Sequence, residues 1–450
     1  MTQEEEIAHL RAENQALREA LTQALARIEA LEKQKTPPPE FVKANVKKDV
    51  SQEKKPRKKR DAKHNHGRRR ATPTQIVEHR LLSCPNCHLR LGGISLARVR
   101  EVIDLPPPAA VEVTHHRIFQ GWCAQCQRWH EAPVDLHEQV LGQGRLGVRL
   151  LSLIATLRAV MRLPIRQSQD LLHTLHGVQV STGELVEVLH RLVAHAQPTL
   201  DEIKAHIRAS PAVQADETGW REDGENGYIW SVCTPKSRYY EYHHSRAGEV
   251  VKRLIGEQFS GVLGSDFYAG YNIHQGLHQR CWVHFLRDIH ELKQEHPDDG
   301  QVEQWAKHVK EIYERARTAP APDAQLPPAK QDAQRVALQH AFEQELWQLC
   351  APFVHTRTPM RTLCERVERF LPELFVFVAY PGVPSDNNLA ERSVRPLVIA
   401  RNISGGTRSP KGSSTRMGLA SLFGTWLAQG LNPFHQCLAL LTSNFSLGEV

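Results

Sequence analysis

The stretch that decides the fold is PAVQADETGW at 211–220, a short apolar run that ends in two acids. It is followed by GYIWSVCTPKSRYYEYHH at 227–244, which predicts a hairpin of two β-rich runs around a turn at 234–237. A helical stretch, RAGEVVKRLIGEQF, and then another apolar run, GVLGSDFYAGY at 261–271, come next. Strands, a helix and a further strand predict an α/β core.

Acidic residues follow two of these runs. Asp216 comes after AVQA and Asp266 comes after GVLGS, so each carboxylate is expected at or near the end of a core strand. If the two strands are neighbours, the carboxylates converge, and their repulsion costs several kcal/mol unless a divalent cation removes it. Isolated acids are more commonly solvated surface groups, but their position beside apolar runs favours a metal site.

A third acid, Glu391, lies in VPSDNNLAERSVRP at 383–396. Ser385 is predicted as the N-cap of a helix, Asp386 suits its first turn, and Pro396 is predicted to end it. Glu391 is therefore expected in the middle of this helix, where it can point at the strand ends. Three carboxylates suffice to hold two Mg²⁺ ions about 3.5–4 Å apart.

Glu217 adjoins Asp216 and is the alternative ligand in this set. Side chains alternate along a strand, so Glu217 is expected to point to the opposite face of the sheet.

Two CxxC pairs stand out among the nine cysteines of the chain. Four thiolates complete one tetrahedral structural zinc, provided that the segment between the pairs folds back. Strand-like runs at 100–106 and 111–120 suit such a ribbon, and His88 and His130 lie beside the pairs. A redox pair or unrelated thiols are the alternatives. The predicted zinc ligands are Cys84, Cys87, Cys123 and Cys126.

Residues 1–34 show a heptad pattern without proline or glycine, with Asn14 at one of the apolar a positions. This pattern predicts a coiled coil, and hence a homo-oligomer that is at least a dimer. A single amphipathic helix that packs on another domain is the alternative.

A basic linker follows at 35–80 and is expected to be disordered. Its cations would bind DNA phosphates through counterion release, although a solvated tail has the same composition. The predicted DNA contacts here are Lys54, Lys55, Arg57, Lys58, Lys59, Arg60, Arg68, Arg69 and Arg70.

Size and charge agree with a multidomain protein that binds a polyanion. The chain has 450 residues, 40% of them hydrophobic, and a net charge of +7. Length alone predicts two to four domains, and the clustered positive charge favours nucleic acid as the partner, against a generally basic protein. No run of about 20 apolar residues predicts a membrane span, and the acidic start is unlike a secretory signal. We therefore expect a cytoplasmic, nucleoid-associated protein.

Residues 139–208 predict a helical domain of helix-turn-helix type, with Ser181 and Glu184 as a capping box. Other helical hairpins have the same sequence pattern, so the alternative stays open. The predicted layout is a coiled coil at 1–34, a linker at 35–80, a zinc domain at 81–138, a helical DNA-binding domain at 139–208, a core at 209–286, a helical insertion at 287–375, and the rest of the core with C-terminal helices at 376–450.

Four strings together resemble the transposases of the bacterial insertion sequence sixty-six family: QADETGW, LGSDFYAGYN, CWVHFLRD and, most specifically, DNNLAERSVRPLVIARN at 386–402. The resemblance covers roughly 1–440. It implies an RNase H-like catalytic core with a helical insertion, a zinc-binding domain, and a catalytic triad at Asp216, Asp266 and Glu391. It also implies cleavage at transposon ends and transfer of the 3′-hydroxyl strand into target DNA. Whether accessory proteins of the same element are needed as partners stays open at this point.

Other residues near the triad are candidates for support or for DNA contact. Cys281 and His284 resemble the Cys-x-x-His signature of several RNase H-like transposases; a core cysteine and a histidine facing a helix are the alternative. Further support is expected from Asn387, Asn388 and Arg392. Flexible backbone with cations suits phosphates, although each cation alone is more commonly a surface charge. The predicted DNA contacts around the Gly-rich stretch at 403–418 are Arg395, Arg401, Arg408, Lys411 and Arg416.

Two other functions use parts of the same sequence. A non-catalytic DNA-binding regulator would explain the zinc module and the helices but would leave the three acids without a role. An RNase H-like nuclease acting on RNA or branched DNA would use the acids in another reaction.

Overall fold

The computed structural model describes residues 71–93 and 95–442, together with Gln15. The predicted coiled coil at 1–34 (Gln15 apart) and the linker cations at 54–70 lie outside the described residues. The chain divides into two compact units, 1–105 and 106–450. None of the described helices is both long enough and apolar enough to cross a bilayer.

The described part of the first unit contains little regular structure. A single antiparallel bridge joins Ser83 to Arg90 and closes the turn that carries the first CxxC pair. The predicted strand at 100–106 is wrong, because this run pairs with no other strand among the described residues and exposes Val102 and Ile103. An extended run without a partner leaves its backbone groups to water.

The second unit begins with a small hairpin that carries the other CxxC pair. Strands β1 (Gln120–Cys123) and β2 (Arg128–Glu131) pair antiparallel, with Gln120 opposite Glu131. The strand predicted at 111–120 is wrong except at its last residue, since only Gln120 belongs to a strand of the described residues.

Four helices follow and confirm the predicted helical stretch: α1 (Val148–Ala159), α2 (Ile165–His176), α3 (Thr182–His195) and α4 (Gln197–Arg208). Gly177 ends α2 with a left-handed φ of 69°, and the Ser181 side chain accepts the backbone N–H of Glu184 at 3.1 Å. The other half of the predicted capping box is wrong, since the Glu184 carboxylate binds Arg145 at 2.6 Å.

A mixed five-stranded sheet forms the centre of the unit. Its strands are β3 (Ala212–Glu222), β4 (Glu225–Cys233), β5 (Arg238–His243), β6 (Val262–Ser265) and β7 (His278–Arg280), arranged β5-β4-β3-β6-β7. The first three pair antiparallel, and β6 runs parallel to both β3 and β7. The predicted hairpin is confirmed: Thr234 N–H donates to the Ser237 carbonyl at 3.0 Å and closes its turn.

Helices cover the sheet and extend beyond it. Three hydrophobic clusters result among the described residues: one between the sheet and helices α1–α4, a small one around Trp220, and one around Trp282, which stacks on Tyr313 with ring centroids 4.8 Å apart. The remaining helices are α5 (Glu249–Ile255), α6 (Trp282–Glu295), α7 (Gly300–Arg317), α8 (Pro328–Cys350), α9 (Arg361–Phe370), α10 (Val376–Ala379), α11 (Asn388–Ser404), α12 (Pro410–Ala428) and α13 (Pro433–Leu441).

Helix α11 corrects two predictions about its ends. It continues through Pro396 and ends at Gly405, whose φ is 73°, because a proline removes only one backbone donor from a helix held by other contacts. It begins after Asn387, not after Ser385. The Ser385 carbonyl accepts the N–H of Trp282 at 2.9 Å and its hydroxyl contacts Tyr313, so this residue does not cap α11.

The predicted Gly-rich loop at 403–418 is mostly helical. Helix α12 begins at Pro410, and the Ser409 side chain caps it by accepting the N–H of Gly412 at 3.1 Å. Only the short segment 405–409 connects α11 to α12. Several of the predicted loop cations therefore lie on helices.

Candidate functional site

Two of the predicted acids come from neighbouring parallel strands. Asp216 lies within β3 and Asp266 directly follows β6. The register pairs Ala212 with Val262 and Gln214 with Gly264, so the same offset brings the two acids to one level of the sheet. Asp216 is not at the end of its strand, because β3 continues alongside β4 after its pairing with β6 stops.

The third acid is carried by the start of α11, which is fixed to β3 by two buried amides. Gln214 donates to the Asp386 carbonyl at 2.5 Å, and its side-chain oxygen accepts the N–H groups of 389 and 390 at 3.1 and 3.3 Å. Asn387 donates to the Ala215 carbonyl at 2.8 Å. Glu391 therefore lies in the first turn of α11 and not mid-helix as predicted.

Electrostatics show that these carboxylates face one another. The pKa of Asp216 is raised from 3.8 to about 7, first by burial and then by the negative charges of Glu217, Asp266 and Glu391. The opposing contribution comes from the Glu217 N–H, which donates to Asp216 at 3.0 Å. A half-buried acid with this environment is the kind of group whose ionisation a cation stabilises.

The donor set at this point fits divalent magnesium. In the described part of the chain, no Lys or Arg forms an ion pair with Asp216, Asp266 or Glu391. One Glu391 carboxylate oxygen, Oε1, is buried without a hydrogen-bond partner, as is Oδ1 of Asn387. Carboxylate oxygens are the ligands that Mg²⁺ prefers, and an ion here would neutralise charge that the protein itself leaves uncompensated.

Glu217, the alternative ligand, is fully engaged elsewhere. Its side chain is 3% exposed, accepts Arg246 Nε at 2.9 Å, and accepts the hydroxyl of Tyr271. Burial, and then the Glu217 charge, raise the pKa of Tyr271 well above its usual value, which keeps that hydroxyl a donor. The geometry therefore favours Asp216 over Glu217 as the metal ligand.

A thiol, an imidazole and Glu391 meet beside the carboxylates. Cys281 precedes α6, and its Sγ accepts the N–H of Asn387 at 3.2 Å. The ligand atoms of Cys281, His284 and Glu391 all lie within 4.8 Å of one another. Burial raises the pKa of the Cys281 thiol to about 11, although the backbone N–H groups of His284, Asn387 and Val283 oppose this rise.

Asn388 and Arg392, the other predicted supports, have lesser contacts. The Asn388 N–H donates to the Asp386 carboxylate at 3.0 Å and so helps to form the first turn of α11. Arg392 is exposed on the same helix. Asn387, which is 1% exposed, is the support residue that the structure joins most closely to the acids.

The predicted DNA-contacting cations divide into exposed and engaged groups. Arg395 and Arg408 are exposed. Arg401 donates to the Gly219 carbonyl, and Lys411 forms an ion pair with Glu187 at 3.3 Å.

Arg416 corrects the loop-based prediction. It is 5% exposed on α12 and donates to the Arg158 carbonyl at 2.8 Å, so it faces the protein interior. Burial, with the charges of Arg158 and Arg162, lowers its pKa to about 9. A residue in this position does not contact DNA phosphates directly.

Each CxxC pair forms a turn in which backbone N–H groups face a thiol. In the first unit, the N–H groups of Cys87 and Asn86 lower the pKa of the Cys84 thiol. In the second unit, the Cys126 N–H donates to Cys123 Sγ at 3.3 Å and lowers its pKa. Thiols with lowered pKa values are suited to bind a metal as thiolates.

His130 lies close to the second pair, within 4.8 Å of both sulfur atoms. Its position makes it a fifth candidate ligand, which the sequence prediction set aside on the ground that four cysteines complete the shell.

The sequence prediction missed Gln214, Arg246 and Tyr271. For Gln214 a signal exists, since it is a polar residue inside the apolar run AVQA and is 4% exposed. A buried amide in a core strand needs partners, and here they are the start of α11. The contacts of Arg246 and Tyr271 with Glu217 join positions 29 and 54 residues away, which no local pattern indicates.

Comparison with known families agrees with this geometry. Residues 143–415 match the family described as Transposase IS66 family, and 82–127 match the zinc-finger binding domain of transposase IS66. The chain belongs to the IS66 transposase family. The resemblance drawn from the four strings is thereby confirmed. The zinc-finger match spans all four predicted cysteine ligands, which supports a structural zinc in this protein.

Two relatives of the IS66 chain are proteins of Sinorhizobium fredii (strain NBRC 101917 / NGR234). The uncharacterized protein y4qI is 25% identical over 380 residues, which are 76% of this chain and 67% of the relative. The uncharacterized protein y4hP is 26% identical over 227 residues, which are 45% of this chain and 39% of the relative. The chain therefore spans well under two thirds of y4hP.

Proposed function

We propose that this protein is a DNA transposase that cleaves transposon ends and transfers the free 3′-hydroxyl into target DNA, with Asp216, Asp266 and Glu391 as ligands of two Mg²⁺ ions. The observation that carries the proposal is the meeting of the three acids. Asp216 is half-buried, burial and the neighbouring carboxylates raise its pKa, and no described Lys or Arg forms an ion pair with any of the three acids. Membership of the IS66 family supports DNA as the substrate.

The sheet topology supports an RNase H-like core. Three antiparallel strands in chain order are followed by two parallel strands on the other side of β3, and the helices α6–α9 precede the return of the chain to the sheet at α11. We infer that these helices are an insertion into that core. The proposed domain limits are those expected from the sequence, with the core at 209–286 and 376–450.

In this mechanism each acid has a positional role. Asp216 on a rigid central strand and Asp266 at the end of β6 would hold the ions on the sheet side. Glu391, fixed by the attachment of α11 to β3, would close the site from the helix side. Bound magnesium would activate the attacking water or 3′-hydroxyl and stabilise the leaving oxygen.

DNA would reach this site along exposed cations. Arg392, Arg395 and Arg408 are exposed on or just after α11, and they would position phosphates without reading the base sequence. We also propose that the cysteines of the two CxxC pairs bind structural zinc. The helical stretch and the basic linker would contribute further DNA contacts, and the N-terminal heptads would make a homo-oligomer. Such a transposase would act in the cytoplasm on the nucleoid, with accessory proteins of the same element as candidate partners.

Metal-dependent strand transfer tests the proposal. The full chain is incubated with a labelled transposon-end duplex and a plasmid target, with Mg²⁺ or without divalent ions, and compared with Asp266→Asn. We expect end cleavage and joined product only with Mg²⁺ and wild-type protein, and equal DNA binding by both proteins. Binding without cleavage by the wild type would favour a DNA-binding regulator. Cleavage of RNA or branched DNA without end joining would favour a nuclease.

A further inference from the structure

The start of α6 places a second, chemically different set of metal ligands beside the magnesium acids. Cys281 immediately precedes α6, and its N–H donates to the Ser265 carbonyl at 2.9 Å, one residue before Asp266. His284 follows three residues later, so both side chains lie on the same side of the first turn. Glu391 approaches from α11 and completes a group whose ligand atoms lie within 4.8 Å of one another.

Two atoms of this group are buried without partners. His284 Nδ1 and Glu391 Oε1 are both shielded from solvent and have no hydrogen-bond partner among the described residues. They lie 3.8 Å apart, which is too far for a hydrogen bond and leaves room for an ion between them. Buried polar atoms without partners each cost about 1–3 kcal/mol. A cation bound by both atoms would remove both penalties.

The sulfur atom is arranged as a metal-bound thiolate would be. Cys281 is 1% exposed, and its Sγ faces the N–H of Asn387 at 3.2 Å. Hydrogen bonds of this kind orient a coordinating side chain and stabilise its negative charge. Binding of a metal would displace the thiol proton to solvent, as metal binding to cysteine ordinarily does.

The ligand types select the metal. Thiolate and imidazole together suit zinc and similar transition metals, whereas magnesium binds almost only to oxygen. We propose that Cys281 Sγ, His284 Nδ1 and Glu391 Oε1 bind one zinc-class divalent cation, with water as the fourth ligand. None of these three residues belongs to either CxxC pair, so the site is additional to the proposed structural zinc.

The position of Glu391 links this site to the proposed function. If Glu391 is also a magnesium ligand, a zinc-class cation on the thiol side competes for the same carboxylate. This consequence rests on the proposed transposase function, and it predicts that zinc inhibits magnesium-dependent cleavage. Binding itself does not depend on that function.

Cobalt absorption tests the binding. The full chain is titrated with Co²⁺, and the bands that report sulfur coordination and tetrahedral cobalt are compared with those of Cys281→Ala and His284→Ala. The cysteines of the two CxxC pairs give the same background absorption in every protein. We expect the wild type to bind one Co²⁺ more than either variant. His290→Ala, an exposed histidine on the same helix, should match the wild type.

Equal cobalt uptake by the wild type, Cys281→Ala and His284→Ala would overturn the site. His284 is partly exposed, so its variant is expected to fold even if Cys281→Ala does not, and circular dichroism checks both. A wild-type chain that shows the extra cobalt but no magnesium-dependent cleavage keeps the site and rejects the proposed function. Loss of cleavage activity alone, with unchanged cobalt spectra, rejects the site.

Discussion

The two faces of strand β3 carry adjacent acids with opposite surroundings. Glu217 on one face is paired with Arg246 and Tyr271 and is 3% exposed. Asp216 on the other face accepts one backbone N–H, and burial together with the charges of neighbouring acids raises its pKa to about 7. Glu217 is compensated within the protein, while the charge of Asp216 would be compensated by the proposed cation. The surroundings of Asp216 thus support the proposed metal site, and those of Glu217 do not.

Exchanging each acid for its amide separates the two faces most strongly. Asp216→Asn removes a proposed magnesium ligand, so we expect cleavage of transposon-end DNA to fall about 1,000-fold or more, which corresponds to about 4 kcal/mol of lost transition-state stabilisation. Binding to the same DNA should not change. Glu217→Gln should retain most of the cleavage per folded molecule. Equal losses in the two variants, measured in single-turnover assays, would show that the faces do not differ in function.

The pH dependence of stability gives a second test of the uncompensated face. The pKa of Asp216 in the fold, about 7, lies above its ordinary value of 3.8, so the fold favours the protonated form. Its contribution to stability is therefore fully present below pH about 4 and is lost as the pH rises through 7, by at most about 4 kcal/mol.

Denaturation of metal-free protein at pH 5 and pH 8 measures this contribution. We expect Asp216→Asn to be more stable than the wild type at pH 8, with a smaller difference at pH 5. Added Mg²⁺ should stabilise the wild type more at pH 8 than at pH 5. A difference between the two proteins that does not change with pH would contradict the assigned surroundings of Asp216.

Substitution of Glu217, on the compensated face, should change the free energy of unfolding more than the rate of cleavage. Glu217→Gln leaves Arg246 without its partner, and we expect the free energy of unfolding to fall by about 2 kcal/mol, less than for a fully buried pair because Arg246 is 44% exposed. Chemical denaturation measures the change. The matched control is Glu257→Gln, whose surface pair with Lys252 is 77% exposed at the glutamate and is worth about 0.5 kcal/mol or less.

Local sequence was enough for the elements but not for the contacts that join them. The hairpin around 234–237 and the apolar runs AVQA and GVLGS before the acids follow from patterns within a few residues. The structure confirms these segments as strands β3, β4, β5 and β6. The runs expected as strands at 100–106 and 111–120 have similar composition but, among the described residues, join a strand pair only at Gln120, because pairing is decided by distant residues.

The start of α11 illustrates the same limit at the site. Ser385 has the right type and position for an N-cap, but its carbonyl and hydroxyl form hydrogen bonds with Trp282 of α6 and Tyr313 of α7. Pro396 resembles a helix end, but α11 continues through it because packing on β3 outweighs one lost backbone bond. Both differences come from tertiary contacts over more than 70 residues, which local patterns do not encode.

The smallest expected effect concerns the joint between the uncompensated face and α11. Gln214 binds three backbone groups at the start of that helix, so Gln214→Ala should let Glu391 shift relative to Asp216 and lower cleavage about tenfold, since small displacements of a catalytic group are costly. Gln279→Ala is the matched control, because this glutamine is also buried and lies on β7. Its side chain donates to the Leu374 carbonyl at 3.0 Å, and this contact does not involve the acids. Both variants should lose similar stability, but only Gln214→Ala should lose cleavage activity. This loss should become smaller as the Mg²⁺ concentration is raised, because a misplaced ligand weakens metal binding. Equal cleavage by the two variants at limiting Mg²⁺ would mean that β3 does not fix the position of the helix-borne carboxylate.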